Sequence, residues 1–274
     1  MPGTLWLVGT PIGNLGDLSE RAARTLASVD VIACEDPLRS RKLLTHASVP
    51  ARRLVAFNEG NERRQVPMLL EHLRSGRDVA VVSDAGMPGL SDPGYRLVVA
   101  CVAEGIQVDV VPGPSAAVAA LVVSGLPTAR FAFEGFLPRK PGERRARLKQ
   151  LAAEPRTLVL FESPRRLADL LADAREALGD RRAAVVRELT KVHQEVVRGR
   201  LSELAEGLPE EVLGEVVVVI DGAPDEGRPD LGALATRVQE LTAQGVSRKE
   251  AAALVAEEAG VSKNALYRAS LQSD

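Results

Sequence analysis

Three loops rich in glycine and proline carry the side chains best placed to hold a ligand. Ser83-Asp84-Ala85-Gly86-Met87-Pro88-Gly89-Leu90-Ser91-Asp92-Pro93-Gly94 follows the apolar run Asp78–Val82. Leu5–Val8 empties into Gly9-Thr10-Pro11-Ile12-Gly13-Asn14-Leu15-Gly16-Asp17, and Val108–Val111 into Pro112-Gly113-Pro114-Ser115-Ala116-Ala117. Glycine turns the backbone through positive φ or lets it approach a ligand closely, proline fixes φ, and the small hydroxyl and carboxylate side chains are polar handles. The chemistry this points to is a ligand cradle built largely from backbone. Gly9, Gly13 and Gly16 do not make the G-x-G-x-x-G spacing, and no G-x-x-x-x-G-K-[ST] occurs, so a nicotinamide or P-loop nucleotide cofactor is disfavoured. A further candidate pair, Glu162 and Arg165, flanks a strand-to-helix junction. There Ser163 reads as an N-cap, Pro164 as the first helical residue and Gly179 as the stop.

The elements that must position these loops follow from periodicity. Strands are expected near residues 4–8, 29–34, 53–57, 78–82 and 107–111 with helices between them, the grammar of a mostly parallel sheet. Parallel strands share one carboxyl edge, where open α/β proteins bind ligands. After Gly125-Leu126-Pro127-Thr128 the pattern changes. Strands at 131–136, 157–161, 183–188, 194–198 and 216–220 with fewer helices predict a mixed sheet. The expected division is an α/β domain over 1–120, an α+β domain over 121–223 that closes a cleft, and a helical tail over 230–274 beyond the linker Gly222–Asp230. In the tail, Ser247 with Glu250 forms a capping box, and Gly260-Val261-Ser262 joins two short helices as in a helix-turn-helix. Such a pair serves as a packing or docking element at least as readily as a DNA reader.

With 274 residues and 45% hydrophobic content the chain can bury sizeable cores. Its longest apolar runs, such as Val216–Ile220, are of strand length, far below the ~20 residues of a bilayer span. No membrane association is expected, secretion is not expected, and the location is read as cytoplasmic, with Cys34 and Cys101 as buried, reduced thiols. A net charge of −2 argues against coating nucleic acid by bulk electrostatics. Basic residues nevertheless cluster at Arg39, Arg41 and Lys42, at Arg63 and Arg64, and from Arg139 to Lys149, either as solvated helix faces or as local phosphate contacts. Aromatic residues, at 3%, leave few stacking platforms for bases.

In order along the chain, the segments Gly9–Leu15, Cys34-Glu35-Asp36, Ser83–Pro88, Ser91–Gly94, Pro112–Ala116, Gly135-Phe136-Leu137-Pro138, Phe161–Leu167 and Arg187-Glu188-Leu189-Thr190-Lys191 resemble the ribosomal RNA small subunit methyltransferase I family. Its members are cytidine 2′-O-methyltransferases of the tetrapyrrole-methylase fold. The tail segment Ser262–Tyr267 is similar to the family as well. The resemblance implies a two-domain α/β enzyme, usually a homodimer, with S-adenosylmethionine in the cleft. It also implies a cofactor cradle of Pro11, Ser83, Asp84, Ala85, Gly86, Pro88, Gly89, Ser91, Pro112, Gly113, Ser115, Ala116, Phe161, Leu189 and Thr190. One departure stands out. Where the family reads Glu-Asp-Thr-Arg, this chain reads Glu35-Asp36-Pro37-Leu38-Arg39, so Arg39 or Arg41 is expected to supply the guanidinium.

Methyl transfer from a sulfonium to a ribose hydroxyl needs geometry, desolvation and a proton acceptor, and no metal. Carboxylates near loop ends are Asp36, Glu59, Glu162 and Glu188, with Lys191 and Arg187 as partners for an alkoxide or a phosphate and His193 as a further candidate. Asp36, Glu162 and Lys191 are selected as the catalytic set, and Arg39, Arg41, Arg165 and Arg187 as phosphate ligands, since a guanidinium binds phosphate through two hydrogen bonds. The weak overall field favours small-subunit ribosomal RNA within the assembled subunit as partner. A tetrapyrrole or other small-molecule methylase, and an idle RNA-docking protein, are the competing readings.

Overall fold

Burial on both faces explains why the N-terminal strands are uninterrupted apolar runs. In the computed structural model, which describes residues 1–50, 53–209, 212–224 and 231–272, these runs become β1 (Leu5–Val8), β2 (Val31–Cys34), β3 (Leu54–Ala56), β4 (Val79–Val82) and β5 (Val108–Val111). They form one parallel sheet in the order β3-β2-β4-β1-β5. Helices α1 (Glu20–Ser28), α2 (Pro37–His46), α3 (Glu62–Arg74) and α4 (Tyr95–Ala103) connect the strands. Leu69, Leu73, Leu97 and Cys101 of α3 and α4 cover Val31, Val79 and Val81 on one face. On the other, Leu26 of α1 and Leu44 of α2 cover Ile32, Ala80 and Val82. Helices on both sides leave no polar face, so β2 and β4 show no polar alternation.

The strand order brings the three Gly/Pro loops together, because β4, β1 and β5 are neighbours and their carboxyl ends adjoin. Main-chain bonds zip the first two loops. Thr10 N–H donates to the Gly86 carbonyl at 2.9 Å, Gly86 N–H donates to Thr10 at 3.2 Å, and the Thr10 hydroxyl lies 3.2 Å from the Ser83 carbonyl. The first and third loops cross so closely that a Cβ on Gly9 would stand 2.6 Å from the nitrogen and Cα of Gly113.

From Ser115 the chain enters α5 (Ala116–Ser124), which packs on a second sheet built of β6 (Phe131–Phe136), β7 (Thr157–Glu162), β8 (Arg182–Arg187), β9 (Glu195–Arg200) and β10 (Val216–Ile220). Its order is β6-β7-β10-β8-β9, parallel only between β6 and β7. Period-two alternation separates two cores. Val159, Ala184, Val186, Val217 and Val219 meet Ala117, Ala120 and Leu121 of α5 together with Ile12. Leu158, Leu160, Val185, Val218 and Ile220 face α6 (Pro141–Gln150), α7 (Leu167–Leu178) and α8 (Leu201–Glu206). The parallel-plus-mixed α/β architecture expected from periodicity is the one found. Helix α7, however, starts at Leu167 after a single 3-10 turn, Pro164–Arg166, and the Ser163 side chain does not cap it. Ser163 is held instead by the neighbouring carboxylate, its N–H donating to Glu162 Oε1 at 2.7 Å.

Met1–Gly222 form one compact unit and Ala223–Asp274 a second. The second unit packs α9 (Leu231–Ala243), α10 (Arg248–Glu258) and α11 (Lys263–Gln272) around Ala235, Val238, Ala251, Ala252, Val255 and Leu266. Helix α9 is an addition to the two expected, and Ser247 caps α10. The expected linker lies outside the described residues from position 225 to 230. Among the described residues no helix is long and apolar enough to cross a membrane, and Cys34 and Cys101 are buried and free.

The Gly9–Gly113 crossing yields a stability test. Gly9→Ala forces backbone against backbone and is expected to cost about 3 kcal/mol. Gly142→Ala, in open space within the first turn of α6, is expected to stabilise by about 0.5 kcal/mol. Urea unfolding of the two variants beside the parent measures both.

Candidate active site

The loop edge of the parallel sheet and the α5-covered side of the second sheet enclose a chamber of about 370 Å³. Such a volume suits a small molecule of nucleoside size. The first loop contributes Ile12, the second Ala85, Gly86, Met87, Leu90, Ser91 and Asp92, and the third Ser115 and Ala116. Phe136, Phe161, Glu162 and the stretch Gly214–Val217 close it from the second sheet. Gly86 sits at φ 85°, and a Cβ there would meet Ile12 at 3.3 Å and the Pro114 carbonyl at 3.4 Å, so bare backbone forms this wall.

An acidic cluster adjoins the chamber at Asp92. Burial, with Glu35 nearby, pushes the Asp92 carboxyl up to about 6. Burial likewise raises Asp84, whose Oδ1 accepts from Asp36 N–H at 3.1 Å and whose Oδ2 pairs with Arg39 Nη1 at 3.2 Å. Asp84 N–H donates to Glu35 at 3.3 Å, so the turns after β2 and β4 are bound to each other. Asp92 is a candidate site residue that the sequence pattern does not single out. The signal available in the sequence is its place between Ser91 and Pro93 within the longest Gly/Pro loop.

On the opposite wall Glu162 is fully shielded, fastened by Ser163 N–H and by Arg166 at 3.0 Å. Lys191 Nζ bonds to Glu188 at 2.8 Å and to Glu215, a chamber residue, at 3.2 Å. It springs from a tight turn in which Glu188 and Thr190 both adopt positive φ and the Thr190 hydroxyl is buried without a partner. This turn lies directly against Gly13 of the first loop. Phe161 packs edge-on against Phe133 and Phe136, with ring centroids 4.9 and 5.6 Å apart.

A larger basin of about 1250 Å³ shares Ser91, Asp92, Phe136, Glu162 and Ser163 with the chamber, and Arg165 lines it. A recess of about 260 Å³ holds Pro11, Ser83, Asp84 and Arg39. Of the selected catalytic residues, Glu162 faces the chamber, Lys191 reaches it through Glu215, and Asp36 caps α2 by accepting from Leu38 N–H at 2.8 Å. Pro37 fits the first turn of α2, Leu38 is exposed, and Arg39 supplies the guanidinium at this end. Pro88, Gly89, Pro112 and Gly113 shape the loops without lining the chamber, and Leu189 is buried in the core behind it. Arg41 is exposed on α2, whereas Arg187 is committed to the Leu213 carbonyl and to Glu195. His193 stands in an exposed turn before β9.

Residues 4–205 match the family model of Tetrapyrrole (Corrin/Porphyrin) Methylases, and residues 229–274 match the RsmI C-terminal HTH domain. The Ribosomal RNA small subunit methyltransferase I of Mycobacterium tuberculosis (strain CDC 1551 / Oshkosh) is 50% identical over 274 residues, covering 99% of this chain and 95% of that protein. The Thermotoga maritima protein of the same name is 49% identical over 221 residues, 80% of this chain and 99% of the relative. Among solved structures, uroporphyrin-III C-methyl transferase from Thermus thermophilus complexed with S-adenyl homocysteine has the same fold. It aligns with a TM-score of 0.56 at 24% identity, over 79% of this chain and 96% of that one. Sequence and architecture agree, and the chain belongs to the tetrapyrrole methylases and, within them, to the ribosomal RNA small subunit methyltransferase I family.

Proposed function

We propose that this chain transfers a methyl group from S-adenosylmethionine to the 2′-oxygen of a cytidine ribose in small-subunit ribosomal RNA, acting in the cytoplasm as a homodimer on the assembled subunit. One juxtaposition carries the reading: a nucleoside-sized chamber shares Asp92, Phe136 and Glu162 with a basin more than large enough for a nucleotide of a polymer. The chamber's residues fit the donor. Ile12, Met87, Leu90, Phe161 and Val217 offer apolar walls to a purine and a carbon chain, bare backbone at Gly86 permits close approach, and Asp92 complements positive charge.

When bound, S-adenosylmethionine supplies an already activated methyl group, which leaves orientation, exclusion of water and proton acceptance to the protein. A ribose hydroxyl must shed its proton as it attacks, and a carboxylate with a pKa near the working pH is suited to take it. Asp92 meets both conditions, standing on the wall common to both cavities with a pKa of about 6. Glu162, immobilised by Ser163 and Arg166, and Lys191, acting through Glu215, hold the second sheet's side of the chamber in place for the reaction. Asp36 fixes the start of α2 and so aims Arg39 at Asp84. The homodimer reading is supported by Val99 and Val102 on α4 and Val110 on the edge strand β5, large apolar side chains left exposed.

Methyl-labelled donor supplied with assembled subunits, protein-free ribosomal RNA or a tetrapyrrole should place label on a ribose oxygen, fastest in subunits. Label on a base, on a tetrapyrrole carbon or nowhere would overturn the reading. Asp92→Asn is expected to lower kcat by about 100-fold or more, and the parent's rate should fall as pH drops below about 6. The same variant should be the more stable protein at neutral pH. The folded carboxyl titrates near 6 against an ordinary 3.8, so the native state holds an extra proton between those values and loses stability as pH climbs through them. Thermal unfolding of Asp92→Asn should therefore match the parent near pH 4 and exceed it at pH 7.5. Val102→Glu is expected to sediment as a monomer where the parent is a dimer.

A further inference from the structure

The basin beside the chamber is lined by guanidinium groups of which several have no ion-pair partner among the described residues. Five guanidinium groups line it. Arg96 is paired with Glu62 at 3.3 Å and Arg166 with Glu162 at 3.0 Å. Arg63, Arg139 and Arg165 are exposed, and among the described residues none has a carboxylate within ion-pair distance. Of the carboxylates in the lining, Glu62 also accepts from Gly94 N–H at 3.0 Å, Glu134 is engaged by Arg147 at 2.6 Å, and Glu35 accepts from Asp84 N–H at 3.3 Å. The three unpaired groups come from separate elements, Arg63 from the first turn of α3, Arg139 from the loop after β6 and Arg165 from the turn before α7. They therefore flank the basin from both sheets' sides.

Aromatic rings are concentrated in the same place. The chain has five phenylalanines, and Phe133, Phe161 and Phe136 form one edge-to-face stack that ends at the wall shared by basin and chamber. Phe136 is 59% exposed there, and Tyr95, 71% exposed, lines the basin from α4. A rigidly backed ring exposed inside a cavity, next to unpaired guanidinium groups, matches what an unstacked nucleotide requires: a π-face for the base and bidentate donors for phosphates.

Resting on the RNA reading above, we propose that the basin receives a single nucleotide drawn out of a structured RNA. Its base is covered by Phe136 at the threshold, and Arg63, Arg139 and Arg165 grip the phosphates on either side. Local rather than global charge then recruits the acceptor, and the target ribose is delivered to the wall that carries Asp92.

The test uses the full chain, labelled donor and assembled small subunits. Arg63→Ala, Arg139→Ala and Arg165→Ala should each raise KM for subunits about tenfold. Each should also flatten the slope of log KM against log salt by about 0.7. Donor affinity measured by calorimetry without RNA should be unchanged, because none of the three lines the chamber. Phe136→Leu should lower kcat/KM for subunits about tenfold, and Phe136→Tyr, which keeps the ring, should restore most of it. If the parent labels RNA while the triple arginine variant keeps its KM and salt slope, this assignment is overturned and the proposed function stands. Loss of donor affinity in the arginine variants would also overturn it, by making them supports of the chamber. A parent protein that labels no RNA would overturn both.

Discussion

The apolar contact between α5, Ile12 and one face of the second sheet is the constraint on which the site depends. Ala117, Ala120 and Leu121 lie on Val159, Val186, Val217 and Val219, while Ile12 joins the same cluster from the first loop. Small residues on α5 let it settle onto a β-branched surface, and every side chain in the cluster is removed from water. Since α5 is the direct continuation of the third loop, this packing also sets how far the loop edge stands from Phe161 and Val217. The chamber is the space left where the cluster ends. Two further ties limit its shape: the Thr10–Gly86 bridge between the first and second loops, and the close fit of Gly13 against Leu189–Lys191.

Charge is distributed so that a chain of net charge −2 can present opposite signs to two different molecules. Asp84, Asp92 and Glu35 gather at the carboxyl edge of the parallel sheet, where burial raises the first two. Unpaired arginines lie farther out, around the larger basin. Interactions between exposed charges fade over about 10 Å at ordinary ionic strength, so such local patches act on what is near them and leave the average charge with little influence. An acidic inner end complements a cationic donor, and the unpaired arginines of the basin complement a polyanionic acceptor. The same protein thereby avoids the broad positive field that would hold any nucleic acid.

Much of this was readable in the residues. Unbroken apolar runs such as Val79–Val82 and Val216–Ile220 declared buried strands, and the Gly/Pro loops pointed to one sheet edge as the place for a ligand. Local rules misjudged the start of α7. The tendency of Ser163 to cap a helix gives way there to its bond with Glu162, a carboxylate that must itself be satisfied in a buried setting. They also passed over α9, which begins at Leu231 directly after the linker.

The sequence by itself determined the order and kind of the elements, the composition of the three loops and the family, because these reside in short-range patterns of polarity and backbone freedom. Tertiary structure alone decided which ionisable groups are available for chemistry. Asp36 and Asp92 are both loop carboxylates in sequence, yet one is committed to capping α2 while the other stands at the junction of two cavities. Arg187 and Arg165 likewise both stand near strand ends, but Leu213 and Glu195 engage the first and no side-chain partner among the described residues engages the second. Burial and pairing arise when crossovers bring distant residues into contact, as Asp84 meets Asp36 and Arg39 across two strands, and no local pattern encodes that meeting.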